Sequence, residues 1–164
     1  MMKLLSAAAA AACLLATPAF AQGPASVSGS LGVTHVDVNN GPSFEAFTAR
    51  VGTKFVKYVG AEAEGSIGFD GGKVDGEKVD LKSDLAVYLD TFLPITDNVS
   101  LVGRVGYGST KVSGMDDRLE GVRYGAGIEA FFDEANGVRI DYTRIDNDNI
   151  NGDAYTISYV RKFF

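Results

Sequence analysis

The sequence of 164 residues contains no tryptophan, one cysteine and one histidine, and these scarcities exclude several kinds of chemistry. Cys13 lies in an apolar N-terminal segment, so the rest of the chain can form no disulfide and offers no thiol nucleophile. His35 is the only imidazole, and a hydrolytic triad needs such a base held by a carboxylate beside a nucleophile. The sequence around His35 indicates no triad, so we predict an interfacial residue and no enzyme.

Long apolar runs and an excess of basic charge are also missing from most of the chain. After residue 21 there is no stretch of about 18 consecutive apolar residues, so no transmembrane helix is predicted. The chain has 15 basic and 21 acidic residues and a net charge of −6. Because nucleic-acid binding requires a basic surface, the sequence predicts no nucleic-acid partner.

The N-terminal segment has the three parts of a secretory signal peptide. Lys3 supplies the positive charge, residues 4–16 form the apolar run, and the tripeptide A-F-A at 19–21 has the form of a cleavage site. This run is too short for a membrane-spanning helix, which needs ~20 residues. We therefore predict a signal peptide over residues 1–21, for secretion through the inner membrane, and one mature domain over residues 22–164.

From residue 26 onward, apolar and polar residues alternate at every second position, which is typical of β-strands with two different faces. Breaks rich in Gly, Asn and Asp divide this pattern into eight segments. The predicted strands cover about residues 26–38, 44–57, 59–69, 81–93, 99–111, 122–132, 138–143 and 155–163. The predicted fold class is all-β, an eight-stranded antiparallel up-and-down barrel that spans a membrane.

The connections between the predicted strands alternate between short and long. Those after strands two, four and six are short, whereas residues 70–80, 113–121 and 146–153 form longer, more acidic loops. Outer-membrane barrels combine short periplasmic turns at one end with long external loops at the other. The last loop partly matches an EF-hand, but Ser158 stands where the bidentate Glu is needed. We therefore predict no metal, cofactor or catalytic site.

The two faces of the predicted strands differ in charge. One face carries apolar residues such as Val51, Val105 and Ile128 in the middle of the strands. The other interleaves glycine with ten charged residues: Arg50, Glu62, Glu64, Lys82, Asp84, Arg104, Arg123, Glu129, Arg139 and Asp141. Glycine weakens a solvated strand but fits a narrow interior, where charges must be paired. We predict a lumen salt-bridge network on this face and lipid contact on the other.

Alternation alone leaves open which face points outward. A soluble periplasmic or secreted lipocalin-like barrel would place the apolar face inside, around a ligand. We favour the membrane barrel because the middle of the apolar face carries no charge, and an arginine at the bilayer midplane costs about 2–4 kcal/mol. The soluble ligand-binding barrel remains the alternative.

Six stretches carry a family resemblance: A-R-V-G-T-K-F (49–55), Y-V-G-A-E-A-E-G (58–65), L-V-G-R-V-G-Y-G (101–108), R-Y-G-A-G-I-E (123–129), R-I-D-Y-T-R (139–144) and I-S-Y-V-R-K-F-F (157–164). With the signal peptide, they resemble the small porin-family or OmpA-like (OmpX-type) outer-membrane barrels of Gram-negative bacteria. The resemblance implies eight antiparallel strands in contact with outer-membrane lipid and lipopolysaccharide. It also implies that the outer-membrane assembly machinery reads the last strand, with Tyr159, Phe163 and Phe164 as the assembly signal.

These observations together predict an integral protein of the cell outer membrane with a structural or surface-interaction role. An interior bounded by eight strands has room only for its own side chains, so we expect a plugged lumen and no large pore. The external loops would contact a partner that the sequence does not identify.

Overall fold

The computed structural model describes residues 26–39, 41–70, 72–74, 77–79, 81–113, 118–147 and 151–163. The predicted signal peptide and Cys13 lie outside these residues, so the division of the chain at residue 21 stays a prediction. The described ranges contain no candidate for a membrane-spanning helix.

Ten strands make up the described part of the chain: β1 (Ser26–Val38), β2 (Ser43–Val56), β3 (Val59–Asp70), β4 (Gly72–Val74), β5 (Glu77–Val79), β6 (Leu81–Pro94), β7 (Val99–Val112), β8 (Leu119–Phe131), β9 (Asn136–Asn147) and β10 (Asn151–Lys162). Eight of them form a closed antiparallel barrel in the order β1-β10-β9-β8-β7-β6-β3-β2. First and last strands pair over most of their length, for example Leu31 with Tyr159. The predicted eight-stranded up-and-down barrel is confirmed, and its closure leaves no open barrel edge.

The prediction of one polar loop over residues 70–80 was wrong in part. Strands β4 and β5 pair there as a separate two-stranded sheet, with Gly72 opposite Val79 and Val74 opposite Glu77. The sequence between them is Asp75-Gly76, and Asp-Gly is a favoured two-residue hairpin connection. The Lys-Val dipeptides at 73–74 and 78–79, on both sides of Asp-Gly, favour two paired strands over an irregular loop.

The two ends of the barrel differ in their connections. The turn end carries the connections 57–58, 95–98 and 132–135, together with the start of β1 and the end of β10. The loop end carries the four other connections between barrel strands. In the turn 132–135, Asp133 accepts hydrogen bonds from the backbone N–H groups of Ala135 (2.8 Å) and Asn136 (2.6 Å). The Asn136 side-chain amide and these backbone groups lower the pKa of Asp133.

The two faces of the barrel strands differ in the exposure of their side chains. Val51, Val105 and Ile128 are each more than half exposed on the outside, at 54%, 51% and 51%. Arg50 and Glu129, on the other face of the same strands, are 3% and 5% exposed. A lipocalin-like barrel requires the reverse arrangement, so this structure rules out the soluble alternative.

Candidate functional site

The centre of the barrel holds an ion-pair cluster built around Asp141 on β9. The Asp141 carboxylate accepts hydrogen bonds from Arg50 Nη1 at 2.9 Å and from Arg104 Nη1 at 2.7 Å. Arg50 lies on β2 and Arg104 on β7, and neither strand is a neighbour of β9 in the barrel wall. Side chains from non-neighbouring strands can meet only across the interior, so these contacts cross the lumen.

Two carboxylates of β3 complete this central ion-pair cluster. Arg104 Nη2 lies 3.0 Å from both Glu62 Oε1 and Glu64 Oε2. Arg50 Nε donates to Glu64 Oε2 at 2.7 Å, and Arg139 Nη1 donates to Glu62 Oε2 at 3.2 Å. The cluster therefore consists of three arginines and three carboxylates: Arg50, Arg104, Arg139, Glu62, Glu64 and Asp141.

Tyr88 supports the cluster from β6, and the sequence-based set of site residues did not include it. Its hydroxyl donates to Glu64 Oε1 at 3.2 Å, and its ring stacks on the guanidinium of Arg104 at 3.5 Å. Arginine over an aromatic face gains a cation–π attraction that is stronger when both groups are out of water. Tyr88 thus holds one cluster arginine and one cluster carboxylate in place.

A second ion pair lies nearer the loop end. Arg123 Nη1 and Nη2 donate to the two oxygens of Asp84 at 2.6 Å and 2.5 Å, a bidentate geometry. The Thr110 hydroxyl donates to Asp84 at 2.6 Å. Gly108 lies beside this pair, and a Cβ atom there would overlap the Arg123 guanidinium. Glycine at this position therefore leaves the space that Arg123 occupies, as the glycine-rich pattern of the polar face suggests.

Glu129 and Lys54 form a third pair at the turn end, with 3.3 Å between Lys54 Nζ and Glu129 Oε1. The Lys54 ammonium also lies 3.8 Å from the centre of the Phe92 ring. Nine of the ten charged residues singled out from the sequence are therefore placed in the interior in ion pairs: Arg50, Glu62, Glu64, Asp84, Arg104, Arg123, Glu129, Arg139 and Asp141.

Lys82 is the exception, because it lies on the exposed side of β6. The register of β6 against β7 shifts between Leu81, which faces Val112, and Ser83, which faces Lys111. A bulge of this kind inserts one residue and reverses the faces on one side of it. Leu81 is consequently buried at 6% exposure, and Lys82 takes no place among the interior ion pairs.

The loop end of the interior is apolar, which the sequence pattern did not indicate. We call this group the apolar cap. Four buried residues form it, and three partly buried ones pack against them: Phe44, Ala46, Leu81 and Val112, with Val36, Val38 and Leu119. Below it, a row of hydroxyl contacts joins Thr156 to Thr34 (2.8 Å), Thr34 to Thr48 (2.6 Å) and Thr48 to Ser66 (2.8 Å).

Two small cavities lie in the interior on either side of the central cluster. The cavity toward the loop end, lined by Asp84 and Arg123 among others, has a volume of about 40 Å³. The cavity toward the turn end, lined by Lys54 and Glu129 among others, has a volume of about 10 Å³. A cavity volume of about 10–15 Å³ holds one water molecule, so the smaller cavity fits one water and the larger one a few.

His35 lies half-exposed on the outer surface near the loop end, as the sequence predicts. Its Nδ1 lies 2.6 Å from Glu45 Oε1 and its Nε2 lies 3.3 Å from Asp37 Oδ1. The nearby Ser43 hydroxyl donates to Asp37 at 2.6 Å. Both ring nitrogens therefore face carboxylates. Within the described ranges, no group of three or more His, Cys, Asp and Glu residues could hold a metal ion.

The last strand and the residue after it present aromatic side chains to the outside. Tyr159 and Phe163 are 43% and 58% exposed, and the Phe163 backbone N–H donates to the carbonyl of Val27 at 2.8 Å. The Tyr159 hydroxyl contacts the side chain of Asn136. Phe164 lies outside the described residues. The role of these three residues as an assembly signal stays a prediction.

The sequence matches one protein family over residues 6–163, and its description is "Outer membrane protein beta-barrel domain". The chain belongs to this family. The family, together with the apolar outer face, locates the protein in the cell outer membrane and confirms the resemblance seen in the sequence. A search of curated proteins finds no match.

Solved structures support the fold at low sequence identity. The outer-membrane β-barrel chain aligns with Ail, the attachment invasion locus protein of Yersinia pestis, at a TM-score of 0.58 and 17% identity, over 85% of this chain and 97% of Ail. The N-terminal β-barrel domain of Pseudomonas aeruginosa OprF aligns at a TM-score of 0.64 and 8% identity, over 83% of this chain and 97% of that domain. P. aeruginosa OprG aligns at a TM-score of 0.59 and 12% identity, over 85% of this chain and 95% of OprG. These similarities show a shared fold.

Proposed function

We propose that this outer-membrane barrel is a closed structural protein that makes surface contacts through its loops, and that it is neither a pore nor an enzyme. The closure of the lumen is inferred from the central ion-pair cluster. In it, Arg50 of β2 and Arg104 of β7 reach across the lumen to Asp141 of β9. Each carboxylate of the cluster lies within 3.2 Å of a guanidinium nitrogen. No ion can pass on the axis unless several of these pairs separate.

The apolar cap adds a second barrier of a different kind. It brings Phe44, Leu81 and Val112 together inside the loop end, each less than a tenth exposed. A hydrophobic constriction resists ions because it does not stay wet and offers nothing to replace their hydration shells. An ion that entered from outside would have to cross this cap before reaching the charged cluster. The two barriers in series support a lumen without a steady conductance.

Planar-bilayer recordings of the purified, refolded protein test the closure. We expect no large or steady conductance steps for the wild-type barrel, because the cap and the cluster both fill the lumen. The same preparation must show a folded band on an SDS gel that disappears after heating, so that an absence of conductance cannot be due to unfolded protein. Large, steady steps from this folded preparation would reject the proposed closure.

Absence of catalysis is part of the proposal, and the surroundings of His35 support it. A nucleophilic mechanism places a base between a carboxylate and a hydroxyl or thiol. Both nitrogens of His35 face carboxylates, and the Ser43 hydroxyl donates to Asp37. This arrangement gives His35 two charge partners, and the Ser43 hydroxyl donates to a carboxylate and not to the imidazole.

The external loops support surface contact with a positively charged partner. Residues 70–80, 113–121 and 146–153, which comprise the long loops and the strand ends beside them, together contain ten acidic and three basic residues. A negative surface attracts basic partners and repels polyanions, and this effect weakens as salt rises. Ail has been solved in complex with the heparin analogue sucrose octasulfate. A polysulfated ligand of that kind would meet an unfavourable potential at the loops of this chain.

Isothermal titration at low salt with sucrose octasulfate and with a lysine-rich peptide tests this part of the proposal. We expect no binding of the octasulfate and weak, salt-sensitive binding of the peptide. Asp116→Asn combined with Asp117→Asn should weaken peptide binding several-fold, since it removes two loop charges. The matched pair Asp97→Asn and Asp133→Asn, at the turn end, should leave peptide binding unchanged. Binding of the octasulfate in preference to the peptide would contradict the proposal.

A further inference from the structure

Asp90 on β6 differs from the other carboxylates buried inside the barrel. It is 2% exposed, and no described residue forms a hydrogen bond with its Oδ1 atom. The other five buried acids each lie in an ion pair: Glu62, Glu64, Asp84, Glu129 and Asp141. Asp90 forms no such pair with the part of the chain described, although burying an isolated carboxylate is unfavourable.

Arg139 on β9 has hydrogen-bond donors without a partner in the described part of the chain, whereas Asp90 has an acceptor without one. Its Nη1 donates to Glu62 Oε2, but its Nε and Nη2 atoms are buried and form no hydrogen bond with described residues. Arg139 is itself 2% exposed. A buried donor without a partner is costly, so a partner for these N–H groups is expected.

Both side chains line the same small cavity toward the turn end of the barrel. This cavity has a volume of about 10 Å³. One water molecule needs roughly 10–15 Å³ and two to four polar partners, and buried waters commonly satisfy groups of this kind. The space therefore suits a single water in size and in the polar groups around it.

We propose that this cavity is a binding site for one water molecule, which accepts a hydrogen bond from Arg139 and donates one to Asp90 Oδ1. The water links the two opposite charges in place of a direct salt bridge. It also extends the central ion-pair cluster from Arg139 to Asp90, which no direct salt bridge does among the residues described. The site is independent of the proposed function, because a conducting barrel could hold the same water.

The charges around the cavity favour water over an ion. Arg50, Lys54 and Arg139 line it and disfavour a cation, while Glu62, Asp90 and Glu129 line it and disfavour an anion. A neutral molecule that can both donate and accept hydrogen bonds matches this mixed lining. Water is the smallest such molecule, and the volume excludes larger ones.

Magnetic resonance of the refolded barrel in detergent micelles, with ¹⁵N-labelled arginine, tests the site directly. We expect a cross-relaxation signal from a long-lived water to the Arg139 guanidinium protons in the wild type. Asp90→Asn should preserve the signal, because the amide oxygen still accepts a hydrogen bond. Asp90→Leu should abolish it, because leucine removes the acceptor and fills the space. The Arg104 guanidinium lines neither interior cavity and donates to Asp141, Glu62 and Glu64, so its Nη protons are the internal control and should show no such signal.

The wild-type measurement decides the proposal even if a variant does not fold. Absence of a water signal at Arg139 in the folded wild type, with assigned guanidinium resonances, would overturn it. Persistence of the signal in folded Asp90→Leu would also overturn it, because Asp90 would then not hold the water. A double-mutant cycle on Asp90→Leu and Arg139→Gln, each of which removes one side of the link, should show at least a few-fold coupling in the unfolding equilibrium constant. Strict additivity would contradict a water-mediated link.

Discussion

Replacement of Asp141 by alanine is expected to lower the free energy of unfolding of this barrel by about 3–5 kcal/mol, which is the effect of removing one partner from a buried ion pair. Asp141 accepts hydrogen bonds from Arg50 and Arg104, and its oxygen lies 3.7 Å from Arg139 Nε. Alanine would leave these three guanidinium groups facing one another around an empty position. Their repulsion and the loss of charge-assisted hydrogen bonds both act in the same direction.

Urea unfolding in lipid vesicles, followed by the heat-sensitive mobility shift on SDS gels, measures this change. The matched control is Asp97→Ala, which removes the same side chain from the exposed turn between β6 and β7. A surface substitution of this kind usually changes stability by less than about 0.5 kcal/mol. If Asp141→Ala lowered the free energy of unfolding as little as Asp97→Ala does, the central cluster would not contribute to stability as its geometry indicates.

Introduction of an arginine on the outer face should have a large effect that depends on depth in the membrane. Val105 lies near the middle of β7 and is 51% exposed, so Val105→Arg places a charge near the bilayer midplane. We expect a loss of about 2–4 kcal/mol. Val56 ends β2 at the turn end and is 59% exposed. Val56→Arg should lose only about 0–1 kcal/mol, because the guanidinium can reach the interface.

The same unfolding assay in vesicles measures this pair of variants, and folding in detergent gives a useful second condition. Both substitutions introduce the same side chain at exposed valines, so any difference between them reports the surroundings of each position. In detergent micelles, whose apolar layer deforms more easily, the difference should shrink. Equal stability of the two variants in vesicles would argue against a membrane-embedded outer face.

Several elements of this barrel could be predicted from local pattern alone. The bounds predicted for the first strand, residues 26–38, agree with β1, since the polar turn that follows clearly ends its alternation. The inward position of Arg50 and the outward position of Val51 follow from the two-residue period of a strand. The prediction failed for Lys82, where a bulge breaks that period, and for the hairpin β4–β5.

The sequence by itself determined the strands, their two faces and the membrane as their environment, because these depend on side-chain periodicity and hydrophobicity within short segments. The tertiary structure alone decided which charges meet. Arg50 and Asp141 are 91 positions apart in the chain, and they touch only because barrel closure and strand stagger bring β2 and β9 across the axis from each other. The apolar cap and the cavity between Asp90 and Arg139 arise in the same way, from register between strands that no local pattern records.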